Sequence, residues 1–319
     1  METPILSFVL PAYNEEMNVG PVTERLIAIG EQLGRPFEIV WVNDGSRDRT
    51  AEHLDALAAK EPRVRLVHLS RNFGHMSALT AGMECARGTG AVVCLDADGQ
   101  HPPELIPEMV ARWESGVDIV QTVRNYGPQG TAMKKLTSRA FYKVMDYLSD
   151  VDLPEGAADF RLMDRQVVDA LNNLPERVRF VRGLVHWVGF NRVNLPYDAP
   201  PRLSGETKYN FLKMMAFAMS GLTSFSVRPL RLSFLMAALV ALAAGLYGIV
   251  VTLCLVLGVP LVKGWTSTIF VMLMLGGAQL LAIGIASEYL ARLFVEQKHR
   301  PVYLIKKQRT EIRAPKESE

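Results

Sequence analysis

Only three cysteines occur in the 319 residues, Cys85, Cys94 and Cys254. They fall in an apparent helix, a strand and an apolar run, which excludes a disulfide framework and a zinc site. No G-x-G-x-x-G follows the first apolar run, and this argues against a dinucleotide oxidoreductase, whose glycines let a pyrophosphate approach that turn. A P-loop is also missing. Net charge is only +2, which implies little by itself, and no nucleic-acid partner is expected. Ile5 to Leu10 is too short for a signal peptide's apolar core and lacks a basic leader, so none is expected.

Charge itself is absent from two long stretches, Leu232 to Val262 and Gly264 to Ser287. Each is long enough to cross the ~30 Å of a bilayer's hydrocarbon as a helix, and soluble helices seldom run so far without a charged face. Two spans are predicted, over about 232–257 and 266–288. Arg228 and Arg231 precede the first, the segment from Arg292 to Arg313 holds seven Lys or Arg against two Glu, and the connecting loop offers only Lys263. Both termini are therefore expected in the cytoplasm.

What is present begins with Val92-Val93-Cys94-Leu95-Asp96-Ala97-Asp98-Gly99-Gln100. A short β-branched run ending in two carboxylates reads as a buried strand delivering acids to its carboxyl end, where open α/β sheets bind ligands. Asp96 and Asp98 can both reach a hard divalent cation, which prefers carboxylate oxygens and keeps sites for substrate phosphates. In isolation Asp-x-Asp reads more often as a solvated turn; its position after a strand favours the ligand.

Upstream, Ile5–Leu10, Phe37–Val42 and Val64–Leu69 read as strands, each followed by a helical stretch. Pro11 is expected to stop the first strand, Asn14 to cap a helix running to about Leu33, and Glu15 and Glu16 to fall in that helix's first turn. Asp44 either meets a nucleotide's base or ribose or caps the next helix. Asp118 to Thr122 is a further strand, with Arg124 just beyond it at the substrate side. Strands alternating with helices at this spacing indicate a mostly parallel sheet flanked by helices, an α/β fold.

Five motifs, in order, carry a resemblance: Pro11-Ala12-Tyr13-Asn14-Glu15, Asn43-Asp44-Gly45-Ser46, Arg71-Asn72-Phe73-Gly74, Asp96-Ala97-Asp98-Gly99-Gln100-His101-Pro102-Pro103-Glu104 and Ala158-Asp159-Phe160-Arg161-Leu162. Together they resemble family 2 glycosyltransferases of the GT-A fold, in the branch that glycosylates polyprenyl phosphates. The resemblance implies a membrane-bound, inverting transfer of a sugar from a nucleotide-diphosphate donor to polyprenyl (undecaprenyl) phosphate, for cell-envelope glycan modification. UDP-glucose is the favoured donor; GDP-mannose, UDP-N-acetylglucosamine and a modified pentose donor are alternatives.

It also implies roles. Pro11, Tyr13, Glu15, Asp44 and Asp96 would line the nucleotide pocket; Asp96, Asp98 and Gln100 would hold Mg²⁺ or Mn²⁺; and Asp98 and Asp159 would serve catalysis, Asp159 as base or as orienter. Gly99 stands where relatives often carry a bulkier residue. Arg124, Arg139, Arg202 and Lys208 would meet the acceptor and its phosphate, Arg139 from a helix over roughly 131–148. The alternative readings are that Asp159 only partners Arg161 and that Arg202 and Lys208 are ordinary surface charges. A homo-oligomer, a tetramer in the family, is implied.

The domain reading is a catalytic domain over 1–209, a juxtamembrane amphipathic helix over 210–230 that lies on the bilayer or packs on the catalytic domain, a two-helix membrane domain over 231–290 and a basic tail over 291–319. A processive polysaccharide synthase is disfavoured, because the Gln-x-x-Arg-Trp acceptor motif is missing and two spans are few for a polymer channel. A non-catalytic scaffold is disfavoured by the intact acids.

Overall fold

The computed structural model describes residues 3–125, 156–198, 226–257 and 264–309; elements are numbered among these. The strands are β1 (Leu6–Ala12), β2 (Phe37–Asn43), β3 (Val64–Leu69), β4 (Ala91–Cys94), β5 (Ile119–Arg124), β6 (Ala157–Asp164), β7 (Arg192–Tyr197) and β8 (Ile305–Arg309). The helices are α1 (Val19–Leu33), α2 (Thr50–Lys60), α3 (His75–Cys85), α4 (Ile106–Glu114), α5 (Arg165–Asn172), α6 (Val181–Trp187), α7 (Arg228–Val256) and α8 (Trp265–Gln297).

All eight strands form one sheet in the order β7-β5-β6-β4-β1-β2-β3-β8. Of the five strands expected from the sequence, β1 to β4 are parallel to one another. The sheet as a whole is mixed, since β6 runs antiparallel to both β4 and β5 and β8 runs antiparallel to β3. Successive residues of β1 explain why it is apolar throughout: Leu6, Phe8 and Leu10 pack into a core shared with α1 and α4, whereas Val9 packs into the core on the side of α3, α5 and α6. A strand covered on both faces has no solvent face on which to alternate.

Two expectations near the first turn are corrected. Pro11 does not stop β1, which pairs with β2 through Ala12 and Asn43. The ladder with β4 ends earlier, at Val9 and Cys94. Ala12 bonds toward β2, its carbonyl accepting from the Asp44 N–H at 2.9 Å. By strand alternation Pro11 turns its missing donor to the side where β4 has ended, so no ladder bond is lost. Asn14 does not cap α1, which begins at Val19, and Glu15 and Glu16 precede it. Asn14 sits at φ 58°; its Oδ1 accepts from the Arg47 N–H at 2.9 Å, and the Glu15 N–H donates to Thr50 Oγ1 at 2.8 Å. These groups are taken by the β2–α2 loop and the first residue of α2, so the helix starts a turn later than its composition suggests.

Helices α7 and α8 are long and apolar, with windows Ser233–Cys254 and Met274–Gln297 of mean hydropathy 2.4 and 1.4 and, among the described residues, no part of either buried inside the protein. At 33 residues α8 is about 50 Å long, longer than a hydrocarbon layer, and its last turns meet the sheet domain. The Glu296 carboxylate accepts from the Arg177 N–H at 2.9 Å and the Val178 N–H at 2.8 Å. Beyond it the chain returns to the sheet: the Ser70 N–H donates to the Leu304 carbonyl at 2.8 Å, and Tyr303 bonds Glu84 at the end of α3. Part of the stretch read as a basic tail, residues 305–309, is thus an edge strand, and β8 covers backbone groups that β3 would otherwise expose.

Candidate active site

A cavity of about 620 Å³ opens at the carboxyl ends of β1, β2 and β4. Its lining includes Pro11, Tyr13, Glu15, Asp44, Asp96 and Asp98 of the predicted set, together with Asp159, and adds His75 and Arg182.

On the β2 side, Asp44 uses both carboxylate oxygens on the backbone: the Phe73 N–H donates to Oδ1 at 2.7 Å and the Gly74 N–H to Oδ2 at 2.9 Å. Burial raises its pKa and these two bonds pull against the rise. Asp44 thereby fixes the turn that leads into α3, not the helix α2 that follows it in sequence. Gly45 makes this approach possible, since a Cβ there would lie 2.5 Å from the Arg71 carbonyl carbon.

Glu15 faces the paired acids from β1. Burial pushes its pKa up, a 2.6 Å bond from the Asn18 amide pulls it back, and the charges of Asp98 and Asp96 push it up again. Three acids gathered this way repel one another unless a cation lies among them. Asp96 Oδ1 is buried and accepts no hydrogen bond among the described residues. A buried carboxylate oxygen that accepts no hydrogen bond, with the His75 ring nitrogen 3.4 Å away and Asp98 in the same lining, fits a hard divalent cation. Gln100 enters through its backbone, its N–H donating to Asp98 Oδ1 at 3.0 Å; its side chain is not among the cavity lining. Gly99 has φ 76°, a left-handed backbone that suits glycine and accounts for the small residue there.

His101 holds Asp96 from behind. The Asp96 N–H donates to His101 Nδ1 at 2.9 Å, which leaves the ring hydrogen on Nε2, 3.6 Å from Asp96 Oδ2. The ring is buried, stacked on Phe160 at 5.4 Å and edge-on to Tyr197 at 6.3 Å.

On the β6 side, the β4–β6 pairing carries Asp159 next to Asp96. Asp159 is 2% exposed. Its Oδ1 accepts from Arg161 Nη2 at 2.7 Å and Arg182 Nε at 2.9 Å, and its Oδ2 from Arg182 Nη2 at 2.6 Å. Burial opposes ionisation, yet Arg182, the neighbouring His75 and Arg161 hold the carboxyl well below the ordinary range. His75 Nε2 lies 3.4 Å from both Asp96 Oδ1 and Asp159 Oδ2. Burial works against its protonation, but Asp96 and then Asp159 push its pKa up to about 9. Ligand atoms of His75, Asp96 and Asp159 lie within 4.8 Å of one another, a second arrangement of the metal-competent groups.

Not every expected residue converges here. Arg124 ends β5, paired with Tyr197, and is not among the cavity lining. Arg139, Arg202, Lys208 and residues 210–225 of the expected amphipathic helix lie outside the described residues, and its last three, 228–230, are the first turn of α7. His75 and Arg182 were missed as site residues. His75 was legible, as the residue closing the Arg71–Gly74 motif before a helix; Arg182, a lone charge in Val181-Arg182-Gly183-Leu184, carried no motif.

Acids gathered at the ends of parallel strands, opposite an arginine–carboxylate fork, make a cavity chemically suited to a cation and a phosphorylated ligand. The family model for glycosyl transferase family 2 matches residues 7–171, and the chain belongs to that family and is a glycosyltransferase of the GT-A fold. It is 41% identical over 301 residues, covering 94% of this chain and 93% of the relative, to the uncharacterized glycosyltransferase YkcC of Bacillus subtilis. It is 38% identical to the bactoprenol glucosyl transferase of Shigella phage SfV, with 95% and 99% covered. The prophage bactoprenol glucosyl transferase homolog of Escherichia coli is 37% identical, with 95% and 98% covered.

Proposed function

We propose that this chain is a membrane-bound, inverting glycosyltransferase that moves glucose from UDP-glucose to undecaprenyl phosphate, with its catalytic domain and both termini on the cytoplasmic side. The observation that carries the reading is the convergence of Glu15, Asp44, Asp96 and Asp98 on one cavity, in a chain that matches bactoprenol glucosyl transferases over nearly their full length.

In this reading Pro11, Tyr13, Glu15 and Asp44 border the nucleoside, and Asp96 and Asp98, with Gln100 as a further candidate, hold Mg²⁺ or Mn²⁺. Such a cation, when bound, offsets charge developing on the departing nucleoside diphosphate. His101 orients Asp96 by occupying its amide and facing its Oδ2. Asp159 is a poor base, because two guanidiniums occupy its lone pairs and hold its pKa down. No strong base is required, since a phosphate monoester is already ionised at neutral pH. Asp159 therefore positions groups around the reacting carbon, and direct attack by the acceptor phosphate oxygen inverts the anomeric centre without a covalent enzyme intermediate. Arg124, Arg139, Arg202 and Lys208 remain candidates for the acceptor side. The two apolar helices keep this chemistry beside the bilayer where a polyprenyl acceptor resides.

Purified enzyme with undecaprenyl phosphate and a panel of radiolabelled nucleotide sugars tests the assignment. Lipid-linked label from UDP-glucose is expected; label from another donor alone would move the donor, and none from any would refute the acceptor.

A further inference from the structure

Two carboxylates of the cavity are matched in different ways. Asp159 has guanidiniums, with Arg161 Nη2 2.7 Å from its Oδ1 and Arg182 Nη2 2.6 Å from its Oδ2. Asp96 has no lysine or arginine within ion-pair distance among the described residues; its partners are two imidazoles, His75 Nε2 at 3.4 Å from Oδ1 and His101 Nε2 at 3.6 Å from Oδ2. These two rings are not equivalent. His101 is buried, faces the Asp96 N–H with Nδ1, and is not among the cavity lining. His75 opens α3, its side chain is 41% exposed, and it lines the cavity with Asp96 and Asp98.

The oxygen that His75 faces, Asp96 Oδ1, is the buried one that accepts no hydrogen bond. A charge-assisted hydrogen bond would draw nitrogen and oxygen to about 2.7–2.9 Å. Two donors each ~2.1 Å from one ion, at a near-tetrahedral angle, stand about 3.4 Å apart, which is the separation found. Gln100, expected as a further ligand, reaches the acids only through its backbone N–H on Asp98, and its side chain is not in the lining.

We propose that His75 Nε2 joins Asp96 and Asp98 as a protein ligand of the divalent cation, and that this nitrogen makes the site prefer Mn²⁺ to Mg²⁺. The inference rests on the glycosyl-transfer reading, in which these acids hold the cation for a nucleoside diphosphate. Mg²⁺ is a hard ion that takes oxygen donors, whereas imidazole suits first-row transition ions better. Asp159 Oδ2 also lies 3.4 Å from His75 Nε2, but it accepts from Arg182 and its Oδ1 from Arg161, so Asp159 stays outside the ligand set. The competing reading makes His75 an imidazolium shared between Asp96 and Asp159.

Full-length enzyme in detergent, titrated with Mn²⁺ alone, separates the two by electron paramagnetic resonance. Electron spin echo modulation reports nitrogen bound to the ion, and competition by Mg²⁺ gives the ratio of affinities. Wild-type enzyme should show modulation from one directly bound imidazole nitrogen. His75→Asp, which replaces that nitrogen by an oxygen, should lose the modulation and lower the Mn²⁺-to-Mg²⁺ affinity ratio by about threefold or more. Should His75→Asp fail to fold, His75→Gln takes its place with the same two readouts. Wild-type Mn²⁺ without nitrogen modulation is the imidazolium outcome and overturns the proposal, as does modulation that survives in the folded variant, an unchanged affinity ratio, or no Mn²⁺ binding at all. Sugar transfer to undecaprenyl phosphate is scored separately. Transfer by an enzyme whose Mn²⁺ has only oxygen ligands keeps the transfer reading and removes His75; nitrogen-bound Mn²⁺ in an enzyme that transfers no sugar does the reverse.

Discussion

Across the sheet, the cavity takes its acids from the ends of three parallel strands, β2, β1 and β4, and its opposite wall from antiparallel β6 and the short helix α6. On the first side carboxylates bond backbone amides or face one another; on the second, a carboxylate is tied between two guanidiniums. Carboxylates that face one another, as Glu15, Asp96 and Asp98 do, suit a cation between them, whereas Asp44, held by two amides, anchors a turn. A carboxylate held by arginines loses its basicity and gains the power to orient. The same residue type therefore serves different chemistry on two sides of one cavity because of its partners.

The largest effect should come from the cation side. Asp96→Asn or Asp98→Asn should lower transfer by about 10²-fold or more in a protein that still folds, as shown by an unchanged melting temperature. Near-normal turnover in both would erase the contrast between the two sides.

The opposite side should reveal itself in stability. Asp159→Asn leaves the buried Arg161 without its charge partner, and breaking such a pair costs roughly 3–5 kcal/mol, whereas Asp44→Asn, which keeps one acceptor for the two amides, should cost about 1–3 kcal/mol. Denaturant midpoints check the order. The pH dependence has a defined sign: Asp159 is held below its unfolded value, so its stabilisation is present above the ordinary carboxylate range and is lost as pH falls through the lowered value. Asp159→Asn should flatten the acid limb of a plot of melting temperature against pH.

A smaller effect belongs to His101, which touches the cation side from behind. His101→Asn can keep an acceptor near the Asp96 amide, whereas His101→Leu cannot. Mn²⁺ affinity measured by electron paramagnetic resonance should fall about tenfold, or ~1.4 kcal/mol, in His101→Leu and less in His101→Asn. Equal affinities in both would remove the orienting role.

Smallest is Glu296, whose bonds to two backbone amides dock the end of α8. Glu296→Gln should cost about 1 kcal/mol and speed proteolysis near residue 177.

How much of this was legible follows from the same contrast. The acidic side could be read because its residues close apolar runs: Asp44 follows a strand of seven buried residues, and Asp96 follows Val92-Val93-Cys94-Leu95. The β6 side could not, because Arg182 sits far along the chain from Asp159 and only folding makes them partners; no local spacing encodes a fork between a strand and a helix two elements later. Asn14 misled for a related reason. A capping residue type before acids is a local signal, and the tertiary demand of the β2–α2 loop for Asn14 and Glu15 outweighed it. β8 was hidden because a strand rich in Lys and Arg at a sheet edge has no apolar alternation to betray it.

The proposal that Asp96 and Asp98, beyond the end of β4, hold a cation for a nucleoside diphosphate is tested most directly by calorimetric titration of UDP into purified wild-type and Asp96→Asn enzyme, with Mn²⁺ and with excess EDTA. Wild-type affinity should drop at least tenfold in EDTA, and Asp96→Asn should bind weakly under both conditions. UDP binding of wild-type strength by Asp96→Asn, unchanged by EDTA, would contradict it.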